Sequence, residues 1–180
     1  MIRMSEVVFV VAPNDFRDEE LDHPRKVLEN AGFDVIIASI APGVCRGRFG
    51  LKVKATLDLK SALDEDADIV AFVGGGGAQV FFDNPDAHTL ARETVARGKT
   101  CGAICIAPTT LGKAGLLNGY KATSFPSEQS TLTELGAKWT GTPVEVIHIV
   151  DTGADIITSN GPESAEKFGK ALLKSARSRR

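Results

Sequence analysis

Long apolar runs alternate with amphipathic stretches from one end of the chain to the other. Residues 7–12 (Val-Val-Phe-Val-Val-Ala) contain no polar side chain, the pattern of a strand buried on both faces. Residues 19–31 place Leu21, Val27, Leu28 and Ala31 at helical spacing, and Gly32 stops the helix. A second buried strand is predicted over 34–39. Residues 42–50 are rich in Gly and Arg and read as a loop, followed by a short strand near 51–57. The next core strand, 68–73, runs into four consecutive glycines, Gly74 to Gly77. A helix over 85–97 is closed by Gly98. The small, apolar residues 100–104 end at Cys105, and Pro108 opens another helix. The segment 121–125, a helix over 127–135 and strands near 144–149 and 155–159 follow. Asp151-Thr-Gly153 between the last two strands predicts a hairpin at or beside a sheet edge, and Gly161-Pro162-Glu163 starts a final helix.

This β-α-β rhythm implies an open, mostly parallel sheet with helices on both faces. The chain has 180 residues, 43% hydrophobic and 24% charged, with no repeat or linker, so one domain over 1–180 is expected. A net charge of −2 gives no pull toward nucleic acid or an anionic membrane. The basic end from Lys174 to Arg180 serves instead to cap the last helix. No apolar run approaches the ~18–20 residues that span a bilayer. The first residues lead into a strand without a signal-peptide pattern, so a cytoplasmic protein is expected. Three cysteines, Cys45, Cys101 and Cys105, are an odd number without zinc-like spacing, and are read as reduced. No metal site is expected. Cys101 and Cys105, four apart, are placed on one face of the same strand, while Cys45 falls in the predicted loop and is open to exposure.

A strand that turns sharply into a helix with a cysteine at the apex is a nucleophile elbow. The turn pushes the side chain out of the sheet, and N–H groups at the helix start favour a thiolate. The alternative is a small hydrophobe buried in a core strand. Ligands in open α/β sheets bind beyond the carboxyl ends of the strands, where the Cys105 turn, the glycine run and the loop 12–15 would meet if their strands are neighbours. There the glycines could bring N–H donors close to a bound group, and with the Ile106 N–H make an oxyanion hole. A phosphate loop is not met, because no Lys-Ser/Thr follows and Gln79 breaks the Gly-x-Gly-x-x-Gly pattern. Four acids, Asp15, Asp18, Glu19 and Glu20, crowd the start of the first helix, and composition does not say which turns inward.

Taken in order, Phe16-x-Asp-x-Glu20-Leu-x-x-Pro24, the strand and glycine turn 68–75, Ala103-Ile-Cys105-x-Ala-Pro108, Ala114-Gly-Leu-Leu-x-Gly119, Thr123-Ser-Phe-Pro126, Gly136-Ala137 and Ile157-Thr-Ser-x-Gly-Pro162 resemble the ThiJ/PfpI superfamily along almost the whole chain. That superfamily takes in PfpI-type intracellular proteases, glyoxalases and a Parkinson's-linked deglycase. The resemblance implies a flavodoxin-like three-layer α/β/α sandwich and a homodimer with the site near its interface. It assigns Cys105 as nucleophile and Glu20 as a protonated acid donating to the sulfur. It puts Gly75 and Gly76 at the oxyanion-hole positions and implies no cofactor.

Two departures bear on the chemistry. PfpI-type proteases carry His directly after the cysteine, where this chain has Ile106. Other members carry His just before the proline of the Thr-x-x-Pro segment, where this chain has Phe125. Of the three histidines, His88 falls on a surface helix and His148 on a late strand. His23 is one helical turn after Glu20 and could share its face, so His23 and Phe125 are the candidate pocket residues. Without a Cys–His pair amide hydrolysis is disfavoured, since acyl transfer needs a base for water and an acid for the leaving amine. Addition of a thiolate to a small reactive carbonyl needs only a carboxyl to move protons. The expected activity is therefore glyoxalase III- or deglycase-like chemistry on small carbonyls. A peptidase or amidase acting on peptide-like substrates, and a redox-sensing or chaperone-like stress protein, are the alternatives.

Overall fold

Alternate residues of each apolar run go to opposite faces of one sheet, and both faces are covered. In the computed structural model, which describes residues 3–179, Val7 and Phe9 join one buried cluster while Val8 and Val10 join another. The first half of the chain comprises β1 (Glu6–Val10), β2 (Asn14–Phe16), α1 (Asp18–Asn30), β3 (Asp34–Ser39), β4 (Gly43–Gly47), β5 (Lys52–Ala55), β6 (Leu57–Asp58) and α2 (Leu59–Asp64). The second half comprises β7 (Ile69–Phe72), α3 (Pro85–Ala96), β8 (Thr100–Ile104), α4 (Pro108–Lys113), β9 (Lys121–Ala122), α5 (Gln129–Glu134), β10 (Lys138–Trp139), β11 (Val144–Ile149), β12 (Ala154–Ser159) and α6 (Ala165–Ser178).

Seven strands form the main sheet in the order β11-β12-β8-β7-β1-β3-β6. All pair in parallel except β11, which returns antiparallel on β12 as the predicted edge hairpin. Leu21 and Leu28 of α1 and Phe168 and Leu172 of α6 cover one face. Leu59 of α2, Leu90 of α3, Leu111 of α4 and Leu132 of α5 cover the other. This is the expected flavodoxin-like three-layer sandwich. No helix among the described residues is long and apolar enough to cross a membrane.

One close crossing steadies the helix that starts beside the sheet's carboxyl edge. Pro24 lies inside α1 and lacks the N–H that would bond the Glu20 carbonyl, so the helix is weakened there. Gly169 of α6 lies against that turn, where a Cβ would come within 2.8 Å of Pro24 Cα. The two helices can therefore meet almost backbone to backbone.

Residues 42–50 differ from the loop that their Gly and Arg content predicts. β4 pairs antiparallel with β5 and parallel with β2, making a three-stranded side sheet. Alternation explains it: Val44 faces solvent while Cys45 turns into the core at 2% exposure. Cys45 is thus buried on a strand, not exposed in a loop. The predicted strand near 51–57 divides into β5 and β6, and Asp58 caps α2 by accepting from Ser61 N–H at 2.7 Å. In the segment 121–125 only β9 is strand, paired with β10.

Candidate active site

β1, β7 and β8 are adjacent, so the loops at their carboxyl ends meet. Cys105 follows the last residue of β8 with φ 66, a left-handed conformation that a side chain adopts at a cost of about 1–3 kcal/mol. Its backbone is pinned on both sides. The Cys105 N–H donates to Ser159 O at 3.0 Å, and the Phe125 N–H donates to Cys105 O at 2.8 Å. The turn also switches faces: Cys101 packs with the α3 side of the sheet and Cys105 with the α1 side. The two cysteines therefore do not share a face, because the strand period ends at Ile104 and the positive φ redirects the next side chain.

Of the four acids near the helix start, two are buried, Asp18 at 9% and Glu20 at 0% exposure. Glu19 is drawn away by Arg17, whose Nε donates to Glu19 Oε2 at 2.6 Å, and Asp15 is exposed. The Arg17 N–H donates to Gly74 O at 3.0 Å, which ties the start of α1 to the glycine turn after β7. Glu20 thereby reaches the Cys105 sulfur. Both its carboxyl oxygens are sealed from solvent without a hydrogen bond of regular geometry, and the thiol and the Gly74 N–H are their polar neighbours.

Gly74 sits between the two groups. A Cβ there would lie 2.5 Å from both Glu20 Oε1 and Cys105 Cβ, and 2.6 Å from Ile104 O. Gly75 has φ 97, and a Cβ on it would lie 2.4 Å from Arg17 N. Gly74→Ala is expected to force the acid and the thiol apart and to destabilise the protein by about 1–3 kcal/mol, as overpacking of a rigid site does. Denaturant midpoints together with the Cys105 alkylation rate check this. An alanine variant of wild-type stability and thiol reactivity would show that the wedge is not tight.

Burial pushes the Glu20 carboxyl up to about 8, against the weaker pulls of the Cys105 thiol, Arg17 and the Gly74 N–H. Burial, and then the charge of an ionised Glu20, push the Cys105 thiol up to about 12. The N–H groups of Gly75 and Ile106 oppose this. The elbow alone therefore does not lower the thiol: a carboxylate and a thiolate exclude one another here. When the pair keeps one proton, donor count favours placing it on Glu20. The sulfur then has the Gly75 N–H, the Ile106 N–H and the Glu20 O–H, whereas a Glu20 carboxylate would have only the thiol and the Gly74 N–H. Titration belongs to the pair.

Cys105 and Glu20 line a cavity of about 440 Å³ whose walls also include Arg17, Arg48, Gly75, Gly76, Ile106, Phe125 and Glu128. Phe125 lines this cavity. His23 does not: it is exposed on α1, away from the cavity. At ~100° per residue the buried arc of α1 runs through Glu20, Pro24, Leu28 and Leu21, and His23 lies about 60° beyond Glu20 on the solvent side. His88 Nε2 bonds Phe82 O at 2.7 Å, and His148 Nδ1 bonds Asp155 Oδ1 at 2.9 Å on the edge hairpin. No histidine is among the cavity walls. No group of His, Cys, Asp and Glu among the described residues could hold a metal ion.

A cysteine on a strained strand-to-helix turn, beside a buried acid and a glycine turn in a parallel sheet, defines the class of cysteine-centred flavodoxin-like proteins. The chain belongs to the DJ-1/PfpI family, which matches residues 5–175. Protein MJ0967 of Methanocaldococcus jannaschii is 34% identical over 174 residues, covering 96% of this chain and 83% of that protein. Deglycase PH1704 of Pyrococcus horikoshii is 33% identical over 141 residues, covering 78% and 84%. A ThiJ/PfpI domain protein from Brachyspira murdochii has the same fold, with a TM-score of 0.90 at 23% identity over 98% of this chain and 99% of that one.

Proposed function

We propose that this protein is a cofactor-independent cysteine enzyme that acts on small reactive carbonyl compounds in a glyoxalase III or deglycase manner. The observation that carries the reading is the sealed Glu20 carboxyl against the Cys105 sulfur, in a cavity with no histidine in its walls. The relative named a deglycase supports the same class of substrate.

The chemistry on an α-oxoaldehyde follows from these groups. The Cys105 thiolate forms an S–C bond to the aldehyde carbon, and the carbonyl electron pair moves to oxygen. Glu20 gives that oxygen its proton, and the N–H groups of Gly75 and Ile106 are near enough to share the developing charge. The Glu20 carboxylate then takes the proton from the sulfur-bearing carbon and returns it to the neighbouring carbon. Meanwhile the hydroxyl proton passes from the oxygen of the first carbon to the former ketone oxygen. The hemithioacetal becomes a 2-hydroxy thioester. Water cleaves the thioester, releasing the 2-hydroxy acid and restoring the thiol. For methylglyoxal the sum is methylglyoxal plus water giving lactate and one proton.

Incubation with methylglyoxal is expected to yield lactate one for one with the aldehyde consumed. Aldehyde loss without lactate, or no loss at all, would rule the reading out. Cleavage of peptide amides that depends on Cys105 would put a peptidase in its place.

A further inference from the structure

The tip between β4 and β5 lies outside the chemistry described above, yet it is firmly held. The Arg48 N–H donates to Phe16 O at 2.8 Å and the Gly47 N–H to Leu51 O at 2.7 Å. The N–H groups of Phe49 and Leu51 donate to Asp18 Oδ1 and Oδ2 at 3.0 and 2.9 Å. Both oxygens of a buried carboxylate, two residues before Glu20, are thus taken up by this one turn. Gly47 leaves the carboxylate its room, since a Cβ there would lie 2.4 Å from Asp18 Oδ1.

The turn presents Arg48 to the cavity that holds Cys105. The Arg48 side chain has no hydrogen bond or ion pair among the described residues. Arg17 lines the same cavity and is held from two sides. Its Nε is bonded to Glu19, and its guanidinium lies 4.9 Å from the centroid of the Phe49 ring, which the same turn supplies. The two Nη groups of Arg17 make no hydrogen bond among the described residues. The Cys105 sulfur and the Glu20 carboxyl are within its electrostatic reach. The opposing charge in the cavity wall is Glu128, whose carboxyl oxygens already accept from Thr109 Oγ1 and Ser127 Oγ at 2.8 Å each. Burial favours the neutral form of Glu20.

We propose that Arg17 and Arg48 form a clamp for a carboxylate, so that the preferred substrates are small carbonyl compounds carrying one. The inference rests on Cys105 being the reacting group of the proposed function. Guanidinium forks match a carboxylate in charge and in planar geometry. An arginine already locked by Glu19 and Phe49, on a turn already locked by Asp18, loses little freedom when it binds. The cavity of about 440 Å³ limits the guest to a small molecule. An α-oxoaldehyde whose chain ends in a carboxylate, such as 4,5-dioxopentanoate, meets both requirements. Asp18 is then a positioning residue, acting through the turn that carries Arg48 and Phe49.

Iodoacetate and iodoacetamide test the clamp without requiring turnover. Each forms the same S–C bond at Cys105 with loss of iodide and release of the thiol proton, but only iodoacetate carries a carboxylate. Site-resolved mass spectrometry gives the two rate constants, and their ratio cancels any general change in the sulfur. Arg48→Gln and Arg17→Gln are each expected to lower the iodoacetate-to-iodoacetamide ratio on the order of fivefold. Arg48→Lys should restore part of it, and high salt should narrow the gap. A ratio that neither glutamine variant moves would overturn the clamp. A shifted ratio in a protein that turns over no carbonyl would uphold the clamp and remove the proposed function. Carbonyl turnover with an unmoved ratio would do the reverse.

Discussion

Cys105→Ser is expected to lower kcat/KM for methylglyoxal by about 10³-fold or more, and Glu20→Gln by nearly as much. A serine hydroxyl at position 105 keeps the shape of the elbow but cannot be ionised by two backbone N–H groups and one carboxyl. A glutamine at position 20 keeps a donor beside the sulfur but can neither give up nor take back a proton. Both the addition and the proton transfer between carbons need that exchange. The double variant should be no slower than the worse single one, because the sulfur and the acid act as one unit. Steady-state rates of the three variants against wild type measure this. Losses that multiply in the double variant would show that the two groups serve separate steps.

The same carboxyl makes the protein weaker as pH rises. Glu20 has an ordinary value of 4.5 and is pushed up to about 8 in the fold. Between these values the native protein holds a proton that the unfolded chain has released, so the stability contributed by neutral Glu20 is intact below 4.5 and is lost as pH rises toward about 8. At roughly 1.4 kcal/mol per unit the whole window amounts to about 5 kcal/mol as an upper bound. Glu20→Gln removes the titration, so its stability should stay flat where that of wild type falls. The variant should overtake wild type as the pH passes from 5 to 8, even while it loses activity. Urea midpoints at half-unit pH steps would show it. Parallel curves for the two proteins would mean that Glu20 ionises in the fold as it does in water.

Much of the architecture is legible in the chain because apolar runs without polar interruption can only be buried strands here. Gly32, Gly98 and Pro108 punctuate them where helices stop or start. The Cys105 turn is legible for the same reason. What stays hidden is set by tertiary contact. Asp15, Asp18, Glu19 and Glu20 look alike along the chain. Only the Arg17–Glu19 pair and the turn 47–51 sort them into an exposed acid, a buried acid that holds the turn, a paired acid and a buried acid beside the sulfur. Gly74 reads as a turn residue, and its part in keeping sulfur and carboxyl in reach depends on the neighbour strand β8. Residues 43–47 read as loop because Gly and Arg outnumber apolar residues, yet a single inward Cys45 is enough to anchor a short strand. His23 shows the limit of spacing: one turn from Glu20 is not the same side when the buried arc runs the other way.

The close crossing of Gly169 with Pro24 gives the reactive pair a backing on the far side of α1. α6 puts no side chain into the cavity, but it backs the turn of α1 that follows Glu20. A methyl group at position 169 would meet the Pro24 backbone at 2.8 Å, at the point where the helix lacks a hydrogen bond. A change on the outer helix would thus be felt at the sulfur through α1, without touching the cavity.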